Sequence, residues 1–179
     1  NIVLAFEFAD NDVYRAVTHN KGIMNGIISV ANAVGQDSRA IEAAANAYAA
    51  ISGKYRSLSK WSKNENGDLV GILEIPLSVG IVGGIVNVHP VAKVCAKILN
   101  VESAQELGCV MVATGLAQNY SAIRALSTEG IQKGHMRLHA RNLAAAAGAS
   151  TDKIDIVVQK MIENNKISLD GAKEILQTF

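Results

Sequence analysis

Between Asp12 and Gly26 the chain crowds Arg15, Thr18, His19, Asn20, Lys21 and Asn25 together, in a sequence that is otherwise 49% hydrophobic. A solvated helix face would carry charges at helical spacing with apolar residues between them. Here donors alternate with small residues, and Gly22 and Gly26 bracket an Ile-Met pair. Small residues let a backbone approach another surface closely. Arg15 offers a planar fork that matches a carboxylate, and Lys21 offers a compact charge that burial can tune. These types together suit an anion-binding site. The alternative is a polar loop that caps the helix after it.

Other residues could join or serve that chemistry. Asp37 follows a Gly35-Gln36 break and suits the N-cap of a helix from Arg39. Gln118-Asn119 interrupts an Ala- and Leu-rich helical run; buried amides need partners, so the pair either bonds a neighbouring backbone or faces a ligand. His135 and His139 stand four apart, on one helix face, at a spacing that zinc sites share. The residues between them are Met-Arg-Leu, without the general-base Glu of metalloproteases, and Arg137 and Arg141 would repel a cation. A metal site is disfavoured. His89 reads as a capping or structural imidazole. The glycines of Leu77-Ser-Val-Gly-Ile-Val-Gly-Gly-Ile85 do not match a dinucleotide or P-loop fingerprint. They suit a tight loop where backbone packs on backbone or on a substrate.

The elements that must hold these residues are mostly helical. The pattern predicts helices over 2–16, 22–34, 39–50, 90–99, 103–125, 152–164 and 169–178, the second apolar on all sides. Residues 54–62 and 68–75 alternate with period two around the turn-forming Lys63-Asn-Glu-Asn-Gly67, which predicts an antiparallel hairpin. The fold class expected is α+β: a predominantly helical large domain with a β-hairpin, and a small helical C-terminal flap. Residues 1–148 would form the large domain, and 149–179 a mobile flap beyond the small-residue joint at Gly148. The chain's 179 residues suffice for a real core, and a net charge of +1 leaves no nucleic-acid footprint. Cys95 and Cys109 read as small core residues in a reducing cytoplasm. No stretch reads as a membrane span or signal peptide.

Three motifs then line up: Tyr14-Arg-Ala-Val-Thr-His-Asn-Lys-Gly-Ile-Met-Asn-Gly26, Gly115-Leu-Ala-Gln-Asn119 and Thr128-Glu-Gly-Ile-Gln-Lys-Gly-His-Met-Arg-Leu-His-Ala-Arg-Asn142. With the glycine loop at 77–84 between them, they closely resemble class II 3-hydroxy-3-methylglutaryl-coenzyme A reductase, over nearly the whole chain. The resemblance implies a four-electron reduction of the thioester to mevalonate and coenzyme A with two NADPH or NADH, in the mevalonate pathway. It implies that Lys21 stabilises the oxyanion formed on hydride addition. Asp37 would hydrogen-bond that lysine and help set proton affinities, and His135 would protonate the departing coenzyme A thiolate. Arg15, Thr18, Asn25 and Gln118 fall where the family holds the 3-hydroxy-3-methylglutaryl or mevalonate group, in agreement with the carboxylate fork argued for Arg15. His139 has no assigned chemistry and is left structural.

The family's further catalytic glutamate and its small nicotinamide-binding domain have no match in these residues. The chain also begins without Met, in mid-pattern, so it reads as the C-terminal part of something longer. Alone it is expected to be inactive, and to need the missing N-terminal part and a homodimer or higher homo-oligomer. The alternatives are a noncatalytic acyl-coenzyme A or dicarboxylate binding module on the same Arg15–Lys21 cluster, and a structural assembly element.

Overall fold

The computed structural model describes residues 1–128 and 130–178; the side chains at 87, 131–135 and 137 lie outside the description. The helices are α1 (Ile2–Asn11), α2 (Val13–Ala33), α3 (Ser38–Ala49), α4 (Gly84–Val88), α5 (Pro90–Leu99), α6 (Ala104–Ser127), α7 (Ile131–Ala146), α8 (Ile154–Glu163) and α9 (Leu169–Leu176). The strands β1 (Ser59–Lys63) and β2 (Leu69–Leu73) form an antiparallel hairpin. The expected α+β class, mostly helical, is what the chain adopts.

The chain divides into two compact units, Asn1–Ser127 and Thr128–Phe179. In the first, α2 packs most extensively on α6, with α1, α3 and α5 also against α2. Gly26 and Gly115 allow the close approach. A Cβ on Gly26 would stand 2.8 Å from the Thr114 carbonyl oxygen, and one on Gly115 2.7 Å from Ile27. Contacts move down α6 as they move up α2, from His19–Asn119 to Gly26–Gly115, so the two helices run antiparallel. Ile23, Ile27, Ile41, Leu107 and Met111 fill the core between these helices. Full burial of each such side chain contributes roughly 1.5–3 kcal/mol.

Several local expectations are corrected. The helix expected over 2–16 breaks at Asp12, whose extended backbone and side-chain bond from the Arg15 N–H start a new helix. An N-cap outweighs continued apolar periodicity there. The stretch from Val13 is therefore helix and not a loop. It is continuous with the segment from Gly22 onward, which is amphipathic, since Asn25, Ser29 and Asn32 face water. The first strand starts only at Ser59; residues before it form the approach, tied to α2 by Asn20. The hairpin turn has its chemical reason: Asn64 Oδ1 accepts from the backbone N–H of Asn66 and Asp68, and Gly67 takes φ +85°. Trp61 pairs with Gly71 across the strands, and its ring occupies the space a Cβ at 71 would need.

The second unit has a core of its own. Ala140 and Ala144 of α7 pack with Val157, Val158 and Met161 of α8 and Ala172 and Ile175 of α9. Ser168 caps α9 by accepting from the Gly171 N–H. Cys95 is half-buried, but Cys109 is exposed on α6, against the expectation of two core cysteines. Among the described residues, no helix is long and apolar enough to cross a membrane.

Candidate functional site

Helix α2 sorts the polar cluster into two faces. Ala16, His19, Asn20, Ile23, Met24, Ile27 and Ala31 recur at helical spacing and are buried. Tyr14, Thr18, Lys21 and Asn25 recur four, three and four residues apart and are exposed, so they form one outward stripe. Arg15 lies half-buried beside it, one turn before Thr18 and His19. Gln118 of α6 meets this helix at Gly26: its Cβ lies 3.1 Å from where a Cβ on Gly26 would be. The structure therefore places Thr18, Lys21 and Asn25 on one exposed stripe of α2 and brings Gln118 of α6 against the same helix at Gly26. Thr18 Oγ1 donates to the Tyr14 carbonyl. Among the described residues, the guanidinium of Arg15, the ammonium of Lys21 and the amides of Asn25 and Gln118 have no hydrogen-bond or ion-pair partner. Their donors are free for an anionic, oxygen-rich ligand. The face is open. The hollows of about 650, 450 and 520 Å³ in the first unit are lined by other residues.

Behind the stripe lies a polar network on residues that carried no assigned chemistry. His19 Nε2 is 2.7 Å from Ser59 Oγ and 3.1 Å from Asn119 Nδ2. Ser59 Oγ and Trp61 Nε1 lie 2.9 and 2.8 Å from Asn119 Oδ1. The indole N–H can only donate, so the atom facing it is the amide oxygen. The Asn119 NH₂ then points at His19 Nε2, which the Ser59 hydroxyl also meets, while His19 Nδ1 is buried and has no hydrogen-bond partner among the described residues. Burial, followed by the nearby Arg15 charge, lowers the His19 pKa to about 4, with Asp10 opposing. His19 is neutral at physiological pH. The signal for this network was present in the sequence: His19 and Asn20 stand three to four residues before Ile23 and Met24, on the core face.

Asp37 is the N-cap of α3. Its Oδ1 accepts from the backbone N–H of Arg39 (3.1 Å) and Ala40 (3.2 Å), and the Arg39 guanidinium lies 3.9 Å away. Its carboxylate is exposed and, among the described residues, makes no bond to Lys21. The capping role is what the structure displays. His135 lies on α7 in the second unit, and its side chain lies outside the described residues. His139 is exposed, and Arg141 pairs with Asp155 of α8. Among the described residues, no group of three or more His, Cys, Asp or Glu could hold a metal ion. His89 begins α5 without a side-chain capping bond. The glycine loop leads into α4, a helix of only 5 residues, and Gly80 is held through its backbone by the Gln36 amide.

The hydroxymethylglutaryl-coenzyme A reductase family model matches residues 1–140. Over 176 residues the chain is 55% identical to the 3-hydroxy-3-methylglutaryl-coenzyme A reductase of Archaeoglobus fulgidus, covering 98% of this chain and 40% of that protein. It is 44% identical over 167 residues to the probable reductase of Borreliella burgdorferi, covering 91% of this chain and 38% of that one. The fold matches the Streptococcus pneumoniae reductase with a TM-score of 0.71 at 42% identity, over 99% of this chain and 42% of the other. It matches the class II enzyme of that organism bound to NADPH with a TM-score of 0.70, also at 42% identity, over 99% of this chain and 43% of that one. The chain thus spans about two fifths of the length of these relatives. It belongs to the hydroxymethylglutaryl-coenzyme A reductase family.

Proposed function

We propose that this chain supplies acyl-binding and proton-handling groups to a reductase that converts 3-hydroxy-3-methylglutaryl-coenzyme A to mevalonate and coenzyme A. The observation that carries the reading is the exposed Thr18–Lys21–Asn25 stripe with Arg15 beside it and Gln118 brought against the same helix. Arg15 would take the free carboxylate through its planar fork. Thr18, Asn25 and Gln118 would bond the hydroxyl and carbonyl oxygens. Lys21 would place its ammonium against the oxyanion that develops at the thioester carbon, a preorganised electrostatic contribution. Asp37 would help set the proton affinity of Lys21. His135 would pass a proton to the departing thiolate sulfur, since a free thiol (reference pKa about 8.5) holds a proton more tightly than a free imidazole (about 6.5).

Reduction of the thioester to the alcohol takes two hydrides and two protons. A nicotinamide coenzyme, NADPH or NADH, would supply the hydrides. In this reading the coenzyme is held by another part of the enzyme. The chain alone is then inactive. Functional division falls, in the same reading, between the substrate-binding residues 1–148 and a mobile flap, 149–179. Exposed Leu4, Phe8, Val88, Val91 and Ile98 suit cover by further protein, which supports action as a homodimer or higher homo-oligomer. One observation favours a second reading. Asp37 is engaged by its own helix and not by Lys21, as befits a noncatalytic binder of acyl-coenzyme A or a dicarboxylate.

The test is a chimera in which this chain replaces the matched segment of the Archaeoglobus fulgidus reductase. The expected result is thioester-dependent coenzyme oxidation, absent for the isolated chain. Lys21→Ala should lower kcat by a factor on the order of 10² or more. A folded chimera that binds the thioester without turnover would establish the binding module instead.

A further inference from the structure

The His19–Ser59–Asn119–Trp61 network has no part in the chemistry above, yet its members adjoin that chemistry on two helices. His19 follows Thr18 and lies one turn after Arg15 on α2. Asn119 follows Gln118 on α6. All four side chains are nearly inaccessible: His19 is 3% exposed, Ser59 0%, Trp61 6% and Asn119 1%. Ordinary apolar residues could fill such a core, and buried polar groups are costly unless fully paired. What directional bonds add is register. At Gly26 and Gly115 the α2–α6 contact is glycine against backbone and side-chain carbon, which sets a close approach but makes no directional bond. Asn119 makes sliding costly, because its amide oxygen accepts from Ser59 and Trp61 while its NH₂ meets His19. A shift of α6 would break bonds on both β1 and α2 together. Asn20 pins α2 to the same region independently, accepting from the Leu58 N–H and donating to the Arg56 carbonyl.

We propose that Asn119, locked by His19, Ser59 and Trp61, is a positioning residue that holds Gln118 in register with the Thr18–Lys21–Asn25 stripe and so sets affinity for the acyl carboxylate ligand. The inference rests on the acyl-binding reading of that stripe. Asn119 does not touch the ligand; it acts through Gln118. This distinguishes it from a residue that merely stabilises the core, whose loss would lower stability whether or not Gln118 is present.

The experiment uses the 179-residue chain and 3-hydroxy-3-methylglutarate as probe, with dissociation constants from calorimetry and folding checked by thermal melting. Asn119→Ala and Gln118→Ala should each weaken binding by on the order of tenfold. The double variant should be no weaker than either single one, because without Gln118 there is nothing for Asn119 to position. Ser59→Ala is the milder variant, since Trp61 and His19 still hold Asn119. It should weaken binding less, again with no added effect in the Gln118→Ala background, and it decides the matter if Asn119→Ala does not fold. Independent, multiplying losses in the double variants would overturn the inference. So would unchanged affinity in Asn119→Ala or Ser59→Ala with only a lowered melting temperature, while Lys21→Ala abolishes binding. A wild-type chain that does not bind the probe would instead sink the acyl-binding reading itself.

Discussion

At the scale of single residues, the type of a side chain proved easier to read than its environment. Arg15 and Lys21 announced anion chemistry through their types, and both carry charges without partners among the described residues. His19 sat in the same stretch but belongs to the buried face of α2, one turn after Arg15, and only the three-dimensional packing shows its neutral, hydrogen-bonded state. Its pH behaviour can be worked out. The pKa is 6.5 in the unfolded chain and about 4 when folded, so between these values the unfolded chain binds more protons. The contribution is fully present above pH 6.5 and is lost as pH falls toward 4, by up to about 3 kcal/mol. Urea unfolding at pH 7 and pH 4.5 should show this loss, and His19→Gln should reduce it while lowering stability at neutral pH. Equal pH dependence in the two proteins would mean that His19 is not held neutral. Asp37 allows its two roles to be separated. Asn caps helices as well as Asp, so Asp37→Asn should leave stability nearly unchanged, whereas Asp37→Ala should cost about 1 kcal/mol. In the chimera, proton chemistry at Asp37 would make Asp37→Asn nearly as inactive as Asp37→Ala. Full activity of Asp37→Asn would leave capping as the residue's whole contribution.

At the scale of elements, helix starts and the hairpin were legible because they depend on local chemistry. Asp37, Pro90 and the Asn64–Gly67 turn fix their elements with neighbours a few residues away. The start of α2 was legible in principle through Asp12, but apolar periodicity on either side masked the cap. The α2–α6 contact was not legible, since it joins residues about a hundred positions apart; Gly26 and Gly115 have no local signature that sets them apart from Gly22. Their contrast is a clean test. Gly26→Ala would press a methyl group 2.8 Å from a backbone oxygen and should destabilise by about 1–3 kcal/mol. Gly22→Ala, on the same helix with nothing within 4 Å of the new Cβ, should stabilise by about 0.5–1 kcal/mol through helix propensity. Denaturant melts of the two variants would check both signs.

At the scale of the whole molecule, the C-terminal helices were visible from periodicity, but not that α7 shares their core. Ala140 and Ala144 are too small to mark a buried face in a sequence, and only their contact with Val157, Met161 and Ile175 shows it. The compact unit accordingly begins at Thr128, before the joint at Gly148. The candidate site was legible as a set of residue types, and its exposed setting was not, because enclosure is a property of the surfaces that surround it. The central claim is that the outward face of α2, with Gln118, receives the 3-hydroxy-3-methylglutaryl group. Amide-resolved NMR titration of the chain with 3-hydroxy-3-methylglutarate tests it most directly. Shifts concentrated at Arg15, Thr18, Lys21, Asn25 and Gln118, and abolished by Lys21→Ala, are expected. Shifts confined to the apolar hollow between Leu73 and Val112, or none at saturating ligand, would contradict it.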